Sequence, residues 1–274
     1  EPTFAGLAME HLRQALTLSP ALPNLQRAVG NELQKRARAN PLDQGSFQQA
    51  FEAYTAALMR APTDGTMYYD FGRLQTVREG KDNFGQPLAG FNISRHIGSN
   101  EDAVSKMWRT ATTLSPADWR IARDLSLRLS QSRKKSLRTE AVTLAETAAQ
   151  LAPHRTTVHV AVAAAHVRHA LPTSLPTGRL SYANAEALGH NRKQRTAAVE
   201  ALQRATSASL ETRAQADAYY ELGVLVHTIP PVKGREGQIA LKDLKCACHT
   251  FNTSNARGRR LEVWLGMAVC LFLP

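Results

Sequence analysis

Two cysteines and a histidine near the C-terminus are the clearest candidate for metal chemistry in the sequence. Cys246, Cys248 and His249 stand almost side by side, and thiolate and imidazole groups are ligands that zinc prefers. A structural zinc site generally takes four ligands from two such pairs, and no second pair stands nearby. We therefore interpret these side chains as buried or incidental, and we predict no metal site.

Three histidines, His159, His166 and His169, fall on one face of a predicted helix. Alanine and valine surround them, which favours a place in the core or at an interface over a role as ligands. The chain contains no His-Glu-x-x-His zinc motif, no Gly-x-Ser-x-Gly elbow and no phosphate loop ending in Gly-Lys-Ser/Thr. The sequence therefore predicts a protein that is not an enzyme, with no catalytic residue and no cofactor.

The chain has a strong excess of basic residues. It contains 34 Lys and Arg against 23 Asp and Glu, which gives a formal net charge of +11. Such a charge favours acidic partners: an acidic protein surface, nucleic acid or an anionic membrane. The densest basic run, Arg133-Lys134-Lys135 with Arg138, is typical of a solvated turn between two helices, and we interpret it so.

Cysteine usage and hydropathy bear on the compartment. The three cysteines form an odd set near the C-terminus, which does not indicate a disulfide framework. We therefore expect an intracellular protein, either cytoplasmic or organellar. The apolar tail Leu261–Leu273 is shorter than the roughly 20 residues that a membrane-spanning helix needs, so we expect no membrane span.

Helical periodicity organises the rest of the chain. Ala50, Tyr54 and Ala57 are spaced by four and three residues, which places them on one face of a helix, and Pro62 ends that helix. The turn Thr63-Asp64-Gly65 then starts a second helix. The same spacing recurs, with its proline lost only in the last copy: Ala8, Leu12, Ala15 and Pro20; Val104, Trp108, Ala111 and Pro116; Ala141, Ala145, Ala148 and Pro153; Ala198, Leu202 and Ala205.

This pattern resembles the tetratricopeptide repeat. Ala50-x3-Tyr54-x2-Ala57-x4-Pro62 is similar to the second helix of that repeat, and Tyr219-x2-Leu222-Gly223 to its first helix. The resemblance implies an all-α fold, a right-handed superhelix (α-solenoid) of antiparallel helix pairs with a concave groove. The array is irregular, because the prolines lie 42, 54 and 37 residues apart. We expect a repeat domain over residues 1–228, with insertions at about 80–100 and 171–188, and capping helices or a tail over 229–274.

The resemblance also places a candidate binding site on the concave face. Arg27-x3-Asn31 is similar to the Lys-x3-Asn start of the carboxylate clamp of that family, and Arg120 with Arg123 loosely resembles its later basic pair. Such a groove is able to grip the carboxylates of an acidic peptide. The alternative is that these arginines are ordinary solvated surface. The predicted groove positions are Asn24, Arg27, Asn31, Tyr69, Arg73, Arg120 and Arg123.

Three hypotheses for function follow. The first is a non-enzymatic scaffold that binds protein partners, as a subunit or assembly factor of a larger hetero-complex. The second is a helical-repeat protein that binds RNA or the ribosome, although the repeats show no paired-residue base code and few aromatic residues for stacking. The third is an accessory repeat region of a larger transferase. The sequence favours the first.

Overall fold

We describe the protein from a computed structural model, which describes residues 4–40, 43–78, 101–171 and 191–208, together with Ala218 and Leu222. Over these residues the regular structure is α-helix, without a strand. Nine helices follow one another through these ranges: α1 (Phe4–Leu18), α2 (Pro23–Ala39), α3 (Gln44–Arg60), α4 (Gly65–Arg78), α5 (Glu101–Leu114), α6 (Trp119–Ser130), α7 (Lys135–Leu151), α8 (Thr156–Ala170) and α9 (Arg192–Ser207). The predicted all-α fold of helix pairs is confirmed. The chain divides into two compact units, Glu1–Arg128 and Leu129–Pro274.

Short Pro-x-Asp turns end one helix and start the next. Pro62 and Pro116 stand in the turns after α3 and α5, where a ring that cannot continue a helix does no harm. Asp64 and Asp118 each accept a hydrogen bond from the backbone N–H two residues further on, at 2.9 and 3.0 Å. These carboxylates satisfy amide groups at the starts of α4 and α6 that no helical carbonyl reaches. The proline and aspartate residues of these turns therefore determine where one helix ends and the next begins.

In the unit Glu1–Arg128, helix α2 packs against α3 and helix α4 against α5. The side chains of Tyr54 and Trp108 are fully buried at these contacts, with Ala57 and Ala111 beside them. A Cβ at Gly30 would lie 3.0 Å from the Tyr54 ring, so the missing side chain of Gly30 lets α2 approach that ring. Small residues next to large aromatic ones therefore set the distance between the helices of each pair.

In the unit Leu129–Pro274, helix α8 packs against both α7 and α9. Helices α7 and α9 pack small or aliphatic side chains against α8. Ala148 of α7 and Leu202 of α9 are fully buried. His159 and His166 are buried in this unit: His159 Nε2 lies 2.7 Å from the Pro153 carbonyl oxygen, and His166 Nδ1 lies 2.6 Å from Gln194 Oε1. The interpretation as core residues is confirmed for His159 and His166, whereas His169 is only partly buried.

The basic run at the start of α7 behaves in two ways. Arg133, Lys134 and Lys135 are exposed, as the interpretation of a solvated turn requires. Arg138 is buried, and its Nη1 donates hydrogen bonds to the carbonyl oxygens of Arg168 and Leu171 at 2.8 and 2.6 Å. The interpretation is wrong for Arg138, because this guanidinium satisfies carbonyls at the end of α8 and does not face solvent.

Several predictions concern residues outside the described ranges. These are the insertion at 80–100, the insertion at 171–188 beyond Leu171, the tail 229–274 and the cluster of Cys246, Cys248 and His249.

The described helices are all too short or too polar to cross a membrane. Across the same part of the chain, no group of three or more His, Cys, Asp or Glu side chains is arranged to hold a metal ion.

Candidate peptide-binding cavity

A cavity of about 850 Å³ opens in the unit Glu1–Arg128 between helices α1, α2, α4 and α6. Ala8, Leu12 and Ala15 of α1 form an apolar wall on one side. The remaining lining is polar and mostly basic. The cationic residues that line it are Arg27, Lys35, Arg38, Arg73 and Arg120, and the acidic ones are Glu32 and Asp70.

Asp70 holds two of these arginines. The side chain of Asp70 is only 5% exposed, and a carboxylate so buried needs cationic or hydrogen-bonding partners. Arg27 Nε donates a hydrogen bond to Asp70 Oδ2 at 2.7 Å, and Arg73 Nη1 lies 3.8 Å from the other oxygen, Oδ1. The guanidinium of Arg73 also lies over the ring of Tyr69, 5.7 Å from its centre. Asp70 and Tyr69 therefore fix Arg27 and Arg73 at one edge of the cavity.

A second carboxylate outside the lining holds Arg120. Arg120 Nε and Nη2 donate to the two oxygens of Asp118 at 2.9 and 2.6 Å, a bidentate pair. Partial burial opposes ionisation of Asp118, but the hydrogen bonds from Arg120 outweigh it and hold the pKa of this carboxyl below its ordinary value. The charge of Arg120 is thus matched within the protein, at the mouth of the cavity.

Tyr69 and Arg123 are not part of the cavity lining and meet at one buried carboxylate, that of Asp124. The hydroxyl of Tyr69 donates to Oδ2 of the fully buried Asp124 at 2.6 Å, while Nε and Nη2 of Arg123 lie 2.7 Å from Oδ1. Burial, followed by the charge of Asp124, raises the pKa of Tyr69 above its usual range, so this hydroxyl stays protonated. The guanidinium of Arg123 stacks over Trp119 at 5.1 Å.

Uncharged polar groups also lie near the cavity, on α2 and α3. The hydroxyl of Tyr54 lies 2.7 Å from Asn31 Oδ1 and 2.9 Å from Gln34 Oε1, yet a phenol has only one proton to donate. Gln34 is buried, and its Nε2 has no hydrogen-bond partner among the described residues. Turning one of the two amides would let it donate to the Tyr54 oxygen and satisfy that hydroxyl on both sides.

The structure brings together four of the seven predicted groove residues. Arg27, Asn31, Arg73 and Arg120 line the cavity. Tyr69 is buried and supports Arg73 from below, whereas Arg123 pairs with Asp124 outside the lining. Asn24 is exposed and does not line the cavity. That any of the seven binds a ligand stays a prediction.

Among the polar lining residues, sequence reasoning missed His11, Glu32, Gln34, Lys35, Arg38 and Asp70. Two of them carried a signal, because Arg27, Asn31, Lys35 and Arg38 are spaced by four, four and three residues along α2 and share one helical face. No spacing rule could have paired Asp70 with Arg27, since these two residues are 43 positions apart in the sequence and lie on different helices.

Comparison with known proteins supports the fold. No family model and no curated protein sequence matches the chain. Among solved structures, the chain is similar to YrrB, described as a tetratricopeptide-repeat protein with an unusual peptide-binding site, with a TM-score of 0.52 and 13% identity over 96% of this chain and 100% of that one. It is also similar to yeast Tom70, with a TM-score of 0.55 and 12% identity, covering 96% of this chain and 42% of Tom70. At such low identity the likeness concerns the fold alone: an array of helix pairs of the tetratricopeptide-repeat type.

Proposed function

We propose that this chain is a non-enzymatic scaffold that binds protein partners, and that the cavity in the unit Glu1–Arg128 takes an acidic peptide segment. The observation that carries the proposal is the balance of charge in the cavity lining, where five cationic residues face two carboxylates. A cavity with this excess attracts an anionic ligand and repels a basic one.

Arg27 also retains N–H groups that can donate hydrogen bonds to a ligand. Arg27 engages Asp70 through Nε, and its two terminal nitrogens make no hydrogen bond to the described residues. Those nitrogens form the end of the guanidinium fork, which fits the two oxygens of a carboxylate. The apolar wall of Ala8, Leu12 and Ala15 lines the same cavity and suits an aliphatic side chain of the same peptide. We therefore expect the ligand to combine acidic and apolar residues.

The repeat fold suits a place in a larger assembly. Helix pairs that stack in series present long surfaces to partners, and an isolated repeat cannot bury its apolar face. We propose that the chain acts as a subunit or assembly factor of an intracellular hetero-complex. YrrB, one of the structural neighbours, is described as having a peptide-binding site, which is in keeping with this proposal.

Titration of a fluorescein-labelled hexaglutamate peptide, followed by fluorescence anisotropy, tests the cavity. We expect the double substitution Arg27→Gln and Arg73→Gln to raise the Kd at least about tenfold, since it removes two guanidinium groups from the lining. Arg36→Gln is the matched control, because Arg36 is exposed on the same helix α2 outside the lining. Equal effects of the two sets of substitutions, or no binding by the unmodified protein, would overturn the proposal.

RNA binding is the second candidate, favoured by the exposed run Arg133, Lys134 and Lys135. Three adjacent exposed cations suit contact with a phosphate backbone, without sequence readout. The affinity for a single-stranded oligouridylate, measured against salt concentration, tests this candidate. A slope of several counterions that falls when the three residues are replaced by Gln would favour RNA over the peptide scaffold.

A further inference from the structure

We infer that this cavity recognises a phosphorylated serine or threonine side chain as the acidic group of the bound peptide. The inference rests on the proposed peptide cavity and goes beyond it by naming the chemical class of the anion. It follows from the N–H groups of Arg27 and Arg73, around Asp70, that have no hydrogen-bond acceptor among the described residues.

The first step is the state of Arg73. Its only ion-pair contact within the described residues is the 3.8 Å approach of Nη1 to Asp70, which is too long for a hydrogen bond. Its Nε is buried and has no hydrogen-bond partner. This guanidinium therefore makes no hydrogen bond in the described part of the protein, and because Nε is buried, the four N–H groups of the two terminal nitrogens are the ones left for a ligand. The group is held in place over Tyr69.

The second step is the convergence of donors. Arg27 and Arg73 meet opposite oxygens of the one carboxylate of Asp70, so their guanidinium groups lie close to each other at the cavity edge. Asn31 also lines the cavity, with its amide engaged by the Tyr54 hydroxyl. The two guanidinium groups alone offer more N–H donors than the two oxygens of a carboxylate are able to accept. A phosphate monoester presents three strong acceptor oxygens and fits this surplus better.

The third step is charge. The lining holds five cationic side chains and two carboxylates, and Asp118 pairs with Arg120 from outside the lining, so the formal charge of the lining stays positive. A phosphate monoester carries about −1.5 to −2 at neutral pH, whereas a glutamate carries −1 and a phosphodiester of RNA carries −1. Clusters of arginines are a recurrent means of recognising phosphorylated peptides. The apolar wall of α1 favours a peptide over free phosphate, because it gives flanking side chains a surface to contact.

Three labelled heptapeptides test the inference: Ala-Ala-Leu-X-Leu-Ala-Ala with phosphoserine, glutamate or serine at X. We expect the phosphoserine peptide to bind the unmodified protein at least about tenfold more tightly than the glutamate peptide, because it engages more donors. Arg73→Gln should remove most of this preference, whereas Arg36→Gln should leave it unchanged. Arg73→Lys keeps the charge but loses the planar fork, and it should also reduce the preference. Thermal unfolding followed by circular dichroism verifies that each variant is folded.

The possible outcomes are distinct. Equal affinity for the phosphoserine and glutamate peptides would overturn the inference while leaving the acidic-peptide cavity standing. Failure of the phosphoserine peptide, the glutamate peptide and hexaglutamate to bind would overturn both. Displacement of the phosphoserine peptide by inorganic phosphate or by oligouridylate at the same concentration would show a general anion site, and would likewise overturn the inference.

Discussion

The indole ring of Trp108 occupies the space that a side chain at position 72 would need. A Cβ added to Gly72 would lie 2.3 Å from Trp108 Nε1, and that nitrogen donates a hydrogen bond to the carbonyl oxygen of Tyr69 at 3.1 Å. Helices α4 and α5 therefore meet through a glycine and a tryptophan. Tyr69 and Gly72 belong to the turn of α4 that also carries Asp70 and Arg73, so the contact anchors the helical turn that contributes two residues to the cavity lining.

We expect Gly72→Ala to destabilise the protein by about 1–3 kcal/mol, because the indole is fully buried and must shift to admit a methyl group. This loss outweighs the gain of up to about 1 kcal/mol that alanine normally brings to a helix. Urea unfolding followed by circular dichroism measures the change. Gly45→Ala in the first turn of α3 is the control, because its Cβ would meet only Asp43 Oδ1, at 3.4 Å. A Gly72 variant as stable as the Gly45 variant would show that the helices tolerate separation.

Arg138→Met should lower the free energy of unfolding by about 1–3 kcal/mol. The substitution keeps most of the buried aliphatic chain but removes the donor that satisfies the carbonyls of Arg168 and Leu171 at the end of α8. Lys135→Met is the matched control, since Lys135 is exposed at the start of the same helix α7. Thermal unfolding measures both. If both substitutions have the same small effect, the two hydrogen bonds contribute nothing to stability.

The sequence predicted the fold more completely than it predicted the candidate site. The spacing of Ala50, Tyr54, Ala57 and Pro62 predicted the helices, because backbone periodicity and proline chemistry are local. The same local reasoning placed Tyr69 in the groove, where the structure instead buries it against Asp124. Whether a polar residue faces solvent or a buried partner depends on contacts between helices from distant parts of the chain. The spacing of residues within one helix does not predict such contacts.

The sequence likewise predicted a basic groove without its carboxylates. Asp70 and Asp118 stand among apolar and turn residues, and only the folded chain shows that they hold Arg27 and Arg120. Net charge was therefore a fair guide to the sign of the charge in the cavity, but the guanidinium N–H groups that remain for a ligand could be found only from the ion pairs. Those N–H groups of Arg27 and Arg73 are the basis on which we propose a phosphorylated ligand over a merely acidic one.

Stability should fall as the pH is lowered below neutrality, in part through His169. Partial burial, followed by the charges of Lys135, Arg138 and His166, lowers the pKa of His169 in the folded protein. The unfolded chain then takes up a proton near pH 6.5, while the folded one takes it up only at lower pH, so protonation favours unfolding between those two values. We expect His169→Gln to flatten the dependence of the unfolding free energy on pH in that window.

The exposed Thr143 of α7 provides the control for this titration. Thr143→Gln should leave the pH dependence as it is, because neither side chain takes up a proton in this pH range. Urea unfolding at a series of pH values from 7.5 downward compares the two variants with the unmodified protein. Parallel curves for His169→Gln and the unmodified protein would mean that this histidine titrates alike in the folded and unfolded states.

Asp70→Asn should separate stability from binding. The substitution keeps the shape of the side chain and an oxygen that accepts from Arg27, but it removes the negative charge that lies between Arg27 and Arg73. We expect the protein to lose about 1–3 kcal/mol of stability, because two neighbouring cations are then no longer compensated. The same loss raises the positive potential of the cavity, so hexaglutamate should bind about threefold to tenfold more tightly. Anisotropy titration and urea unfolding of the one variant measure the two effects. If affinity falls together with stability, Asp70 acts chiefly by positioning the arginines, and the charge excess of the cavity is not what attracts the ligand.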